Sequence, residues 1–270
     1  MNINFKWGYY TKAGLCEINA DLNVSQNYYQ NLKDLLKVKK VKNCELIRVG
    51  LNGADGGYVM LKSFKDDGIA YSFGINNDVT WDNIMAEIGY KIYQYDHTIN
   101  ALPYERKEFH FFKEGISGID YEDKPLKTLE YYLKRNNHLK NKNMILKMDV
   151  EGAEWDFLET VDINILKNFD QIVFEMHNIV RPNDSKRILP LLKKINETHN
   201  LIHIHGNNCG YQLKIGNTIF PDVIETTYVN KEKYEVVEDD SLVFPTLFDS
   251  PNDKGRPDIN LGQWNKPLKI

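Results

Sequence analysis

Cysteine is scarce in this chain. Cys16, Cys44 and Cys209 are the only three in 270 residues, far apart and odd in number. No CxxC pair occurs, which leaves out a disulfide framework and favours a reducing, cytoplasmic setting. Long apolar runs are missing as well. None approaches the ~18 residues of a membrane span, so no transmembrane segment is expected. The opening Met-Asn-Ile-Asn-Phe-Lys-Trp-Gly does not read as a signal peptide. Nor is basic charge in excess. The 34 Lys and Arg against 38 Asp and Glu give a net charge of −4, which argues against a nucleic-acid partner. HExxH, internal repeats and low-complexity segments are also absent. What remains is an ordinary globular composition, 42% hydrophobic and 27% charged. A chain of this length can bury about 75% of its unfolded surface, so a full core is available.

Phe5, Trp7, Tyr9 and Tyr10 open the chain without a clear period, as a docking arm or a loop over a site. Residues 25–40 read as a helix, with Ser25 as N-cap and Tyr28, Leu32, Leu35 and Leu36 at helical spacing. Runs 45–49 and 58–62 flank a Gly-rich turn, the pattern of a hairpin. Gly53, Gly56 and Gly57 serve either a loose loop or a close backbone approach to an anion, with Arg48 at hand as a carboxylate partner. From residue 69 strands and helices alternate. The patterns predict strands at 69–75, 90–95, 109–112, 144–149, 171–176, 201–205 and 223–229. They predict helices at 79–88, 126–135 and 185–198, and another from Ala153. A hairpin strand fits 211–219, and the tail 231–270 reads as an irregular wrap or a partly disordered segment, with Trp264 as a candidate anchor. Such alternation argues for an α/β sheet with parallel strands and right-handed crossovers.

The stretch 144–160 changes period in its middle. Met144 to Val150 has the pattern of a strand, and Ala153, Phe157 and Val161 fall at helical spacing. Asp149, Glu151 and Gly152 lie between. Two readings compete there. Asp149 could cap the helix with Glu151 favouring its positive end. Alternatively, both stand at the carboxyl end of a strand, where open α/β sheets bind ligands. Asp96 closes the second strand, 22 residues after Gly74. An acidic residue there commonly holds ribose hydroxyls; the plain alternative is a turn with His97 and Thr98.

A parallel sheet would collect Gly74, Asp96, Asp149, Glu151, His177 and His205 on one rim. Asp149 with His177 or His205 could deprotonate a hydroxyl. Asp149, Glu175 and His177 could instead hold a divalent metal. His203 and His205 share one strand face, as a polar pocket wall or as satisfied core histidines.

The run Leu146-Lys147-Met148-Asp149-Val150-Glu151-Gly152-Ala153-Glu154-Trp155 resembles the signature of FkbM-type methyltransferases, a branch of the class I S-adenosylmethionine-dependent enzymes. Asp55-Gly56-Gly57-Tyr58-Val59, Tyr71-Ser72-Phe73-Gly74-Ile75, His203-Ile204-His205-Gly206-Asn207-Asn208 and Pro221 to Tyr228 resemble a related subgroup. The resemblance spans about 45–230, leaving an amino-terminal arm and helix (1–44) and a tail (231–270) outside it. It implies a Rossmann-like α/β fold, a seven-stranded, mostly parallel sheet flanked by helices in the order 3-2-1-4-5-7-6. It also implies S-adenosylmethionine as cofactor. On that basis Arg48, Gly57, Gly74, Ile75, Asp96, Gly115 and Ile116 would bind the cofactor. Asp149, His177 and His205 would carry catalysis, and Glu151, His203 and Asn207 would face the acceptor. The chain departs from the family's acidic-x-Gly-x-Gly loop, having Ser72-Phe73-Gly74-Ile75-Asn76.

The activity implied is O-methylation of a saccharide or small molecule. Abundant Asn and Lys suit an AT-rich bacterial genome, and surface-glycan (capsule or lipopolysaccharide) modification is the context expected. Two other classes stay open, another nucleotide-using sugar-modifying enzyme and a catalytically silent binding module. The sequence leaves the oligomeric state open, a homodimer being one option.

Overall fold

The structure, a computed structural model, describes residues 6–8, 22–181, 184–216 and 218–268. Phe5, Tyr9 and Tyr10 of the expected arm lie outside these residues. Lys6–Gly8 adds as a strand to the hairpin Gln212–Ile215 and Thr218–Pro221.

An antiparallel hairpin, β1 (Leu46–Val49) and β2 (Tyr58–Leu61), precedes the main sheet. The main sheet comprises β3 (Ile69–Phe73), β4 (Lys91–Tyr95), β5 (Phe109–Phe112), β6 (Met144–Asp149), β7 (Phe169–Met176), β8 (His199–Gly206) and β9 (Ile224–Asn230). Their spatial order is β8-β9-β7-β6-β3-β4-β5. All neighbours are parallel except those of β9, which runs antiparallel to β7 and β8. This is the strand order the resemblance implied, read from the other edge.

The helices are α1 (Leu22–Leu35), α2 (Thr80–Ile88), α3 (Leu129–Arg135), α4 (Ala153–Thr160), α5 (Ile163–Leu166) and α6 (Ser185–Thr198). The pleat sorts the sheet's side chains by parity. Tyr71, Phe73, Leu146, Met148, Ile172 and Phe174 join one large core with α1 and α3 to α6. Ala70, Ile92, Ile145 and Val173 join a second core, beneath α2 and the β1–β2 hairpin. The hairpin thus covers the face that carries Lys147, Asp149 and Glu175. Thr227 Oγ1 fixes it there by donating to the Val59 carbonyl at 2.5 Å.

Two boundaries differ from expectation. The first helix starts at Leu22 and not at Ser25, and it stops at Leu35 because Lys39–Val41 is drawn into a ladder with Val236–Glu238. Leu126–Lys127 pairs with Gly115–Ile116, so α3 starts only after Thr128, whose hydroxyl accepts the Tyr131 N–H at 3.2 Å. Beyond the strand Val236–Glu238 the tail crosses the sheet's β8 edge in mostly irregular conformation and is pinned by Trp264, fully buried, with Nε1 donating to Leu36 O at 2.9 Å. No helix among the described residues is long and apolar enough to cross a membrane.

Candidate active site

The carboxyl ends of β3, β4 and β6 open into a cleft of about 490 Å³. Gly74, Ile75, Asp96, Gly115, Ile116, Asp149 and Glu151 all line it. Gly74, Asp96, Asp149 and Glu151 are four of the six residues expected at one rim because successive parallel strands end on one side; His177 and His205, also expected there, do not line the cleft.

The β3 turn is held by its neighbours. Gly74 has φ +77°, and a Cβ there would lie 1.6 Å from the Asp149 carbonyl oxygen, so only glycine lets the two strand ends approach. Lys147 donates from Nζ to Gly74 O at 2.7 Å. Asp96 then staples the turn to β4. Its Oδ2 accepts the N–H groups of Ile75 (2.9 Å) and Asn76 (2.8 Å). Its Oδ1 accepts the Thr98 N–H (2.8 Å) and hydroxyl (2.6 Å). Burial alone would raise Asp96, but these four donors outweigh it and hold the carboxyl below its ordinary value. Four donors occupy the roughly four lone-pair positions of a carboxylate. A ribose diol would therefore reach Asp96 by taking over the Thr98 bonds.

The readings of the acidic turn separate here. The N-cap of α4 is Gly152, in the left-handed region, and not Asp149. Asp149 points toward the hairpin and accepts the Tyr58 hydroxyl at 3.0 Å. Burial, and then the nearby Asp55 charge, push Asp149 above the ordinary carboxylate range, with Lys147 opposing them. Glu151 sits at φ +54° with its side chain 88% exposed, at the cleft mouth.

His177 lies beside this turn. Its backbone N–H and Nδ1 both meet Glu154 Oε1, at 2.6 and 3.1 Å, and its Nε2 stands 3.4 Å from both Glu151 and Glu175. Burial lowers the imidazole, but the bonds to Glu154 and Glu175 more than reverse it, to about 11. It is an imidazolium at neutrality, a source of positive charge and no proton acceptor. His205 is placed similarly. It is fully buried, with Nδ1 on Glu225 (3.0 Å) and Nε2 on Asp258 (2.9 Å). Burial opposes charge there too, yet Glu225 and Asp258 push it to about 10. Both ring nitrogens are taken, so His205 supports Glu225 and does not face the cleft. His203 Nε2 meets Asp249 at 2.8 Å, and Asn207 donates to Glu175 Oε1 at 3.1 Å. None of these four lines the cleft, nor do Arg48 and Gly57.

Arg48 is nonetheless poised at its edge. Nε donates to Leu51 O at 2.7 Å, and Leu51 lines the cleft. Both terminal guanidinium nitrogens are buried without a partner among the described residues. A Cβ on Gly57 would lie 2.6 Å from one of them. A buried fork of donors with no acceptor suits a carboxylate.

The sequence pointed to Glu151 and Glu175 beside His177, but not to the buried Glu154, nor to Glu225, Asp249 and Asp258, which hold His205 and His203. Asp149, Glu175, Glu225 and His205 stand opposite one another on β6, β7, β9 and β8. The tail adds Asp249, Asn252 and Asp258. Pairing partners on adjacent strands could have been inferred from the strand order; the tail's approach carried no signal in sequence.

A doubly wound sheet of this order, with its cleft where the glycine turn meets the second strand's acid, defines a Rossmann-like methyltransferase fold. The family model for the methyltransferase FkbM domain matches residues 15–213, and the chain belongs to that family. Among solved structures, the chain is similar to a Streptococcus thermophilus protein provisionally described as a hemolysin. The two share 13% identity over 65% of this chain and 72% of that one, with a TM-score of 0.38, a likeness that carries no argument. No curated protein matches the chain.

Proposed function

We propose that the chain is an S-adenosylmethionine-dependent O-methyltransferase acting on a saccharide or small-molecule hydroxyl. The observation that supports this most is the cleft itself, in which Gly74 to Asn76, Asp96 and Asp149 meet at the strand ends of a methyltransferase-family chain. Its volume falls in the range usual for small-molecule sites, ~300–1,000 Å³. The residues fit the cofactor. Asp96 and the turn it staples would hold the ribose, Gly115 and Ile116 would border the adenine, and Arg48 would receive the methionine carboxylate. When bound, the cofactor supplies an electrophilic methyl on a sulfonium sulfur.

The protein's own part is positioning and proton transfer. Asp149, raised by burial, is a better proton acceptor than an ordinary carboxylate and stands at the cleft. Its Tyr58 bond aims it. His177 and Lys147 supply the positive charge that keeps the acidic rim from repelling a deprotonating acceptor. Glu151, exposed at the cleft mouth, belongs to the acceptor side; His203 and Asn207, buried behind it, would act only through Asp249 and Glu175. The cytoplasmic setting and the glycan context belong to this proposal as well.

Calorimetry with S-adenosylmethionine and its demethylated product tests it. Binding in the micromolar range is expected, together with methyl transfer to hydroxylated cell-envelope sugar precursors. Failure to bind either form defeats the reading.

A further inference from the structure

Three carboxylates meet under the Gly-rich hairpin loop, at the side of the cleft. Asp55 comes from that loop, Glu175 from β7 and Glu225 from β9, and each brings an oxygen within 4.8 Å of the others. Glu175 and Glu225 are opposed on adjacent strands and are only 5% and 3% exposed. Like charges so placed repel strongly when buried. Burial first, and the Asp149 charge second, push Glu175 up to about 8.

The cluster's other bonds leave specific atoms over. Glu175 Oε1 is held by Asn207 and faces His177, while Oε2 has no partner among the described residues. Glu225 Oε2 is held by His205. Asn252, 6% exposed, donates from Nδ2 to Asp55 Oδ1 (2.9 Å) and Glu225 Oε1 (2.6 Å). Its own Oδ1 is buried and unpartnered among the described residues. A half-turn of that amide exchanges donor for acceptor and presents a fourth oxygen to the carboxylates.

We propose that Asp55, Glu175, Glu225 and the Asn252 amide form a binding site for a hard divalent cation on the acceptor side of the cleft. All four donors are oxygens, the set that suits Mg²⁺, Mn²⁺ or Ca²⁺ rather than a thiolate-seeking metal. The histidines stand behind the ligands: His205 orients Glu225, and His177 with Asn207 orients Glu175. Asp149, Glu151 and His177 also lie within 4.8 Å of one another. That group is the poorer cage, because Glu154 engages the His177 ring and its other nitrogen faces Glu151 and Glu175. Asp55 is exposed and lines the cofactor cleft, so the cation opens toward it. An acceptor with adjacent hydroxyl groups, as sugars carry, could chelate it there. This last use of the site rests on the methyltransferase reading; cation binding does not.

The test is titration of the chelator-treated full chain with Mn²⁺, read by loss of the free-ion electron paramagnetic resonance signal, with Mg²⁺ and Ca²⁺ as competitors. One Mn²⁺ per chain is expected, weakened about tenfold or more in Glu225→Gln and Asp55→Asn. Asp55→Asn lies on the exposed loop and decides the matter if the buried variant does not fold. Absence of Mn²⁺, Mg²⁺ and Ca²⁺ binding overturns the proposal. So does binding that Glu151→Gln abolishes and Asp55→Asn leaves unchanged, which would place the ion in the neighbouring group. S-adenosylmethionine calorimetry on the same samples separates the two readings. Cofactor binding without Mn²⁺ binding defeats the cation site alone, and Mn²⁺ binding without cofactor binding defeats the methyltransferase reading alone.

Discussion

The two halves of the strand-end rim handle buried negative charge in opposite ways. On the β3–β4 side one carboxylate, Asp96, meets four protein donors and is held ionised. On the β6–β7–β9 side Asp149, Glu175 and Glu225 share one row across adjacent strands, and Asp149 and Glu175 are pushed toward their neutral forms. In the first half the charge is fully met by protein donors. The second is short of positive charge even with two imidazolium groups beside it. A saturated anion builds a binding loop, and a crowded row of anions has room for a proton or a cation. Preorganised ligand binding and proton chemistry therefore separate along one sheet edge.

The comparison breaks most severely at the point where the halves touch. Gly74→Ala would drive a Cβ into the Asp149 backbone at a positive φ, and a loss of about 4 kcal/mol or more in urea unfolding is expected, together with loss of cofactor binding. Next is Glu154→Ala, which leaves the His177 imidazolium without its main anchor. A cost of about 3–5 kcal/mol is expected, and the His177 titration followed by NMR should fall well below about 11. The sign follows from the raised value. The stabilisation is complete below the unfolded histidine pKa, near ~6.5, and is lost as pH rises through about 11.

Asp96→Asn comes third. It removes the charge from the stapled turn, and S-adenosylmethionine affinity should drop at least about tenfold, roughly 1.4 kcal/mol. Because Asp96 is depressed, its contribution is present above the unfolded carboxylate value, ~3.9, and disappears only as pH falls through its lower folded value. Unfolding followed through mild acid should therefore show Asp96 protecting the turn after ordinary carboxylates have protonated. The smallest effect belongs to Tyr58→Phe. It deletes one hydrogen bond to Asp149, worth about 1 kcal/mol. A shift in the pH dependence of methyl transfer larger than the change in cofactor affinity would mark Tyr58 as a group that positions Asp149.

Most of the first half could be read along the chain. Gly74 and Asp96 end consecutive strands, and parallel pairing alone brings them together. The row of acids was partly legible, since Asp149 and the His177 neighbourhood followed from the same rule. Its completion was not. Asn252 reaches Asp55 across 197 positions, and Asp258 reaches His205 across 53. No local pattern reports contacts of that separation. The histidines could be recognised as polar and clustered, but their charge depends on buried partners. Glu154 stood within the recognised run and reads there as an ordinary first-turn acid; only its complete burial against His177 shows otherwise.

Sequence by itself determined the alternation of strand and helix, the glycine turn and the acids at the strand ends, because backbone period and turn chemistry are local. Tertiary structure decided which carboxylates hold a proton, which histidines carry charge and which face the hairpin covers. Those depend on desolvation and on charges brought together through space, and neither is a property of neighbours in the chain.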